Sequence, residues 1–258
     1  MEDALYNPVY NALLSGDARL SFGEGQVKYF DEQVSPFVGF PNNYDKGFDD
    51  LYHLLPAGRK ILYAIPEKIQ EPEGWQVAAA MEGLQFVFAE GSNLVEPSIK
   101  PVPLSNNNVE EMVQLATLTK PGPFGARTIE FGYYHGIFEN NQLVAMTGQR
   151  LHVDNYTEIS AVCTHPNHLG KGYAAALMLH QLSLINSQGQ QAFLHVRKDN
   201  SRAIALYERL GFKVNRGMNF YFMKRQFLNN SRYKTRINSI SIYPAKSLKF
   251  TNSYYLHI

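Results

Sequence analysis

Residues 158–174 read EISAVCTHPNHLGKGYA, and residues 200–212 read NSRAIALYERLGF. The first stretch begins as a strand, Tyr156 to Thr164, and breaks at His165-Pro166. It then crosses a loop in which Gly170 and Gly172 stand one residue apart. A helix is predicted at once, from Tyr173 to Asn186, because Ala174, Met178, Leu182 and Ile185 fall at helical spacing. The first turn of a helix carries backbone N–H groups with no internal partner, and its dipole favours negative charge. Glycines in the approach let the backbone come close to a phosphate and adopt positive φ. The strand–loop–helix therefore suits a pyrophosphate. It is not a P-loop, since no Gly-Lys-Ser/Thr follows, and it lacks the third glycine of a dinucleotide fingerprint.

The second stretch follows a short strand, Gln191 to Arg197. Seven residues make nearly two turns, so Asn200 and Tyr207 project on the same side of a helix, about 10 Å apart along its axis. Ala203, Leu206 and Leu210 can pack it on a sheet, and Gly211 can supply a left-handed C-cap. Read alone, Asn200 is equally an N-cap and Tyr207 equally a core aromatic.

Together the two stretches resemble the signature of the GNAT superfamily of N-acyltransferases. The features are a strand ending in His-Pro, then Gly170-Lys171-Gly172-Tyr173-Ala174, then Asn-x-x-Ala-x-x-x-Tyr-x-x-x-Gly-Phe from Asn200. Glu158 to Pro166 further resembles the catalytic domain of glycine N-acyltransferase-like proteins. The resemblance covers about half of the chain. It implies an α/β (α+β) fold with a mixed, mostly antiparallel sheet flanked by helices, splayed between the strands of Glu158–Thr164 and Gln191–Arg197. It also implies acetyl-CoA as cosubstrate and transfer of its acyl group to an amine in a ternary complex. Backbone groups of Val162, Cys163 and Thr164 would pair with the pantetheine amides. Leu169, Gly170, Lys171, Gly172 and Tyr173 would hold the pyrophosphate, Asn200 would steady the pantetheine, and Tyr207 would protonate the departing thiolate. Asn167 and Leu169 depart from the Gln or Arg common at these positions, which weakens contacts to the cofactor but leaves the backbone cradle.

The attacking amine must lose a proton, because a lysine-like amine with a pKa of about 10.4 is mostly protonated at neutral pH. Glu158, on the strand entering the loop, is the expected base, and Glu130 is the second candidate. Either carboxylate reads equally as an ion-paired strand residue. His165, His168 and His195 lack zinc-ligand spacing, so no metal is expected. Cys163 reads as a small buried thiol, not a nucleophile. Two other readings stay open: a protein lysine or N-terminal acetyltransferase, and a non-catalytic acyl-CoA-binding module.

Working outward, Gly132–Phe138 and Gln142–Leu151 are predicted as a hairpin joined by Glu139-Asn140-Asn141, and Phe212–Lys224 as two short strands. Asn107 or Asn108 starts a helix through Met112, Leu115 and Leu118 that Pro121-Gly122-Pro123 stops. Pro121 to Gly125 could also roof an acceptor pocket. Earlier, Lys60–Ile65 and Gly83–Phe88 are strand-like, but residues 1–98 carry no catalytic motif and form an α/β region of unassigned role. The acyltransferase domain is expected over 99–226, and 227–258, without Asp, Glu or Gly, as an extension.

The whole chain of 258 residues is 45% hydrophobic and 18% charged, ordinary for a soluble globular protein. A net charge of +1 argues against nucleic acid as a partner. The single cysteine excludes an internal disulfide. No run of eighteen apolar residues suggests a membrane span, and the acidic start MEDALYNPVY has no apolar signal core. A cytoplasmic protein is expected.

Overall fold

The structure is a computed structural model that describes residues 3–89 and 99–227. In chain order the helices and strands are α1 (Pro8–Leu14), β1 (Ser21–Phe22), β2 (Lys28–Phe30), β3 (Val38–Gly39), α2 (Gly47–Leu54), β4 (Lys60–Ile65), β5 (Trp75–Phe88), β6 (Val102–Pro103), α3 (Val109–Thr119), β7 (His135–Glu139), β8 (Gln142–Val153), β9 (Tyr156–Thr164), α4 (Tyr173–Ser187), β10 (Gln191–Arg197), α5 (Ser201–Arg209) and β11 (Phe212–Arg225). The strands β1, β2 and β3 form a small sheet, and the others form one eight-stranded sheet in the order β4-β11-β5-β10-β9-β8-β7-β6. Its pairings are antiparallel except that of β9 with β10. The expected fold class is the observed one.

The local reasons are legible. Asn140 and Asn141 both take positive φ, +50° and +61°, which is the type I′ turn that the twist of a two-residue hairpin favours. Lys120 closes α3 in the left-handed region, just ahead of Pro121. Alternation along β4 sends Ile61, Tyr63 and Ile65 to the core shared with Leu51 of α2, and Leu62 and Ala64 to the core shared with Val9 and Leu13 of α1. On β9, Ile159 enters the core beneath α4 and α5, while Cys163 enters that of Met112 and Leu115 from α3.

Two expectations change. The segment 212–224, predicted as two short strands, is one fourteen-residue strand whose register shifts at Val214/Arg216 and Phe222/Met223. These irregularities carry the strand through a bend that its sequence suggested would break it. The boundary expected near residue 98 does not divide the sheet. β5 lies between β10 and β11, and β4 pairs with the far edge of β11. The strands of 60–65 and 75–88 thus complete a sheet that the second half begins, because β10 and β11 would otherwise expose unpaired edges. Of the extension expected over 227–258, everything from residue 228 lies outside the described residues.

Candidate active site

The parallel pairing of β9 with β10 is short. β10 and β9 pair at Gln191↔Tyr156, Ala192↔Thr157 and Phe193↔Glu158, and no further. Beyond Glu158 the strand bulges. Ser160 pairs with Gly148 and Cys163 with Met146, so two residues of β9 face Thr147, and one of them, Ala161, takes φ +53°. A bulge bends its strand, and here it accompanies the opening of a slot between β9 and β10. The slot leaves backbone amides on β9 without a strand partner on that side. His165 donates its N–H to Val144 C=O at 2.7 Å, toward β8. By strand alternation the peptide groups of Val162 and Thr164 face the slot and those of Cys163 face β8.

The loop after β9 ends at a glycine-capped helix start, a geometry suited to an anion. Gly170 and Gly172 take φ +82° and +80°, and Gly172 is the N-cap of α4. A left-handed cap suits glycine because it has no Cβ to strain. A Cβ at either glycine would meet nothing within 4 Å, so the cradle is open. Side chains anchor the loop from below. Lys171 Nζ donates to Glu139 at 2.8 and 2.9 Å, His168 Nδ1 lies 3.2 Å from the same carboxylate, and the Tyr173 hydroxyl also donates to it. Lys171, chiefly through its hydrogen bonds, holds the Glu139 carboxyl below its usual value. Leu169 is exposed, as a residue on the rim of such a loop must be.

Across the slot, α5 presents Tyr207 in the same apolar cluster as Val162 of β9 and Val196 of β10. Its ring meets Phe86 and Phe212 edge-on, with centroids 6.4 and 6.1 Å apart. Burial pushes the Tyr207 phenol up to about 12, so it is a neutral O–H at physiological pH. Asn200 caps α5, its Oδ1 accepting the Ala203 N–H at 3.2 Å, and stays exposed beyond the end of β10. The N-cap reading is therefore fulfilled, and its amide nitrogen is left for other use.

Glu158 is placed differently from a working base. It is 0% exposed, and its carboxylate accepts Arg150 Nε at 2.8 Å and Nη2 at 2.6 Å, with His195 Nδ1 at 2.7 Å. Burial alone would raise the carboxyl, but Arg150 and then His195 outweigh it and hold it at about 2. Such a carboxylate has little affinity for an amine's proton. The other ring nitrogen of His195 lies 3.1 Å from Gln85 Nε2, which donates to Leu5 C=O, while Asn215 donates to Gln85 Oε1. Glu130, the second candidate, is spent on Arg127 at 2.6 and 3.0 Å. Cys163 is 7% exposed and burial lifts its thiol to about 11, so it is not a ready nucleophile. Among the described residues no group of three or more metal-ligating side chains occurs, and no helix is long and apolar enough to cross a membrane.

Sequence reasoning missed Arg150 and Tyr134 and weighed His195 only as a metal ligand or a base. Counting outward from the Asp154-Asn155 turn would set Leu151 opposite Glu158. The shift between Gln149 and His152 instead places both Arg150 and Leu151 there. No spacing rule reveals that bulge.

A family model described as FR47-like protein matches residues 134–221. A GNAT-family protein of known structure from Novosphingobium aromaticivorans DSM 12444 is 30% identical, with 88% of this chain and 100% of that one covered and a TM-score of 0.80. A GCN5-related N-acetyltransferase from Kribbella flavida shares the fold at 16% identity, with 84% and 95% covered and a TM-score of 0.57. No curated protein matches the sequence significantly. The chain belongs to the GNAT family and carries its acetyltransferase fold. The match to the Novosphingobium protein is too long to lie within the second half alone, so the first hundred residues share in it.

Proposed function

We propose that this protein transfers an acetyl group from acetyl-CoA to an amine by direct attack in a ternary complex. The observation that carries the reading is the open slot beside β9 ending in the glycine-capped start of α4, with a buried neutral phenol across from it. Val162 and Thr164 offer the pantetheine the strand edge, with Cys163 between them. The amides from Leu169 to Tyr173 receive the pyrophosphate, with Gly170, Lys171 and Gly172 forming the closest approach. Asn200 stands where its free amide can meet the pantetheine.

In the reaction the amine nitrogen attacks the thioester carbon, an N–C bond forms and the C–S bond breaks. Tyr207 gives its hydroxyl proton to the leaving thiolate, and the proton shed by the amine passes to water and restores the phenol. Glu158 keeps a part in this scheme as a positioning residue: it fixes Arg150 and His195 beside the slot, and its own low proton affinity leaves deprotonation to solvent. Activity should then climb with pH toward the acceptor amine's own pKa, with no plateau set by an enzyme carboxylate. A pH–rate profile that levels off between pH 5 and 7 for an amine of pKa about 10 would restore a base to the enzyme.

The testing experiment is calorimetric titration with acetyl-CoA, followed by thiol release in the presence of amines. Binding with amine-dependent thiol release supports the reading. Binding with no transfer to any amine would make the chain an acyl-CoA-binding module, and absence of binding by folded protein would remove the donor.

A further inference from the structure

Beside the slot two buried side-chain hydroxyls have no hydrogen bond among the described residues, that of Thr164 on β9 and that of Tyr134. Tyr134, just ahead of β7, is 2% exposed, and its hydroxyl is buried without a hydrogen bond among the described residues. A phenol buried in this way costs about 1–3 kcal/mol relative to a satisfied one, so its retention calls for an explanation. The ring is held firmly. It lies over Gly148, where a Cβ would fall 2.4 Å from it, and Phe124 meets it edge-on with centroids 5.7 Å apart. The hydroxyl is within electrostatic reach of Arg150, Glu158 and Cys163. It therefore sits on the α3 side of β9, beside the residues where the strand leaves β10.

The chemistry of this neighbourhood is narrow. Arg150 gives Nε and Nη2 to Glu158, and its guanidinium lies 4.9 Å over the Phe37 ring, so its charge is compensated within the protein. A carboxylate on an incoming molecule would find that cation already paired. The residues clustered with Tyr134 include Met112, Leu115, Met146, Phe124 and Ile129, all apolar. Phe124 belongs to the Pro121–Gly125 loop, which lies outside the helices and strands.

We infer that the Tyr134 hydroxyl is the polar anchor of the acceptor subsite, and that the acceptor is a primary amine on an aromatic or aliphatic skeleton without a free carboxylate. The inference rests on the acyltransferase reading. The phenolic oxygen accepts one N–H of the neutral amine and leaves the nitrogen lone pair directed at the thioester, while the apolar walls take the skeleton. Tyr134 is a positioning residue in this scheme, since the bonds that form and break do not involve it.

The test compares 2-phenylethylamine and hexylamine with glycine and aspartate by thiol release from acetyl-CoA, in the wild type and in Tyr134→Phe. The expected result is transfer to the first two, with kcat/KM for glycine and aspartate at least about 10-fold lower. The variant should raise the KM for 2-phenylethylamine about 10-fold, the worth of one hydrogen bond to a buried group. The KM for acetyl-CoA should stay unchanged and Tm should be equal or higher, because the variant removes an unpaired hydroxyl. Unchanged acceptor KM in Tyr134→Phe would overturn the anchor, and preferred use of glycine or aspartate would overturn the acceptor class. Calorimetric binding of acetyl-CoA by wild type that transfers to neither apolar amine also overturns that class while the donor site stands. Failure of the wild type to bind acetyl-CoA at all removes the acyltransferase reading, and this inference with it.

Discussion

The two sides of the slot are built on opposite principles. On the proposed donor side the groups are backbone amides on the strand edge beyond the bulge at Ala161 and at the glycine-capped start of α4. On the proposed acceptor side they are side chains, Glu158, Arg150, His195 and Gln85, and nearly every hydrogen-bonding atom is already engaged within the protein. The lesson is that a donor common to many enzymes can be met by main chain, whose geometry needs only the right turns. A particular acceptor requires side chains brought from distant parts of the chain.

The sharpest way to break this contrast is to put charge into the donor cradle. Gly170→Asp combined with Gly172→Asp sets two carboxylates against a pyrophosphate and should weaken acetyl-CoA binding at least about 1,000-fold. Neither glycine has a neighbour that a Cβ would strike, so Tm should fall only by the modest strain of a left-handed aspartate. Calorimetry beside thermal melting separates the two effects, and retained affinity in the double variant would mean that the phosphates lie elsewhere.

On the acceptor side the corresponding change acts through stability. Glu158→Gln leaves the Arg150 charge buried without its partner and should cost on the order of 3 kcal/mol, measured by chemical denaturation. The sign with pH follows from the depressed carboxyl. Its folded value of about 2 lies below the unfolded one, so its contribution is complete above about pH 4.3 and is lost as pH falls from there through 2. The variant should flatten that part of the stability profile. An unchanged acid limb would show that the pair does not form in solution.

Tyr207→Phe tests the link between the two sides. Its kcat should drop about 100-fold with little change in acetyl-CoA affinity, as expected when a proton donor is lost from the transition state. Equal turnover would release Tyr207 from the mechanism. The smallest effect is assigned to Cys163→Ala, which should alter activity by less than about 2-fold and stability by about 1 kcal/mol, since the thiol is a packed, protonated group. A large loss of turnover there, with the fold intact, would point to an acyl-enzyme after all.

Much of the geometry of the proposed donor site was legible in advance because it is local. Val162 to Tyr173 is one continuous strand–loop–helix, and Asn200 to Phe212 one helix with its caps. Their spacing fixes where amides and side chains point. The helices of 109–119 and 173–187 and the strands of 60–65, 156–164 and 191–197 likewise follow from periodicity and turn residues. Glu158 could be picked as a carboxylate at the right place, but its state depends on partners eight and thirty-seven residues away.

The sequence by itself determined the family-defining half of the sheet, the glycine-lined cradle and the pairing of Asn200 with Tyr207 along one helix, because each rests on contacts within a short stretch of chain. Only the tertiary structure decided that β4 and β5 complete the same sheet, that a bulge sets Arg150 against Glu158, and that the Tyr134 hydroxyl finds no partner among the described residues. Those outcomes depend on strand register and long-range packing. A shift of one residue reverses which side chains face inward, and no local pattern records it.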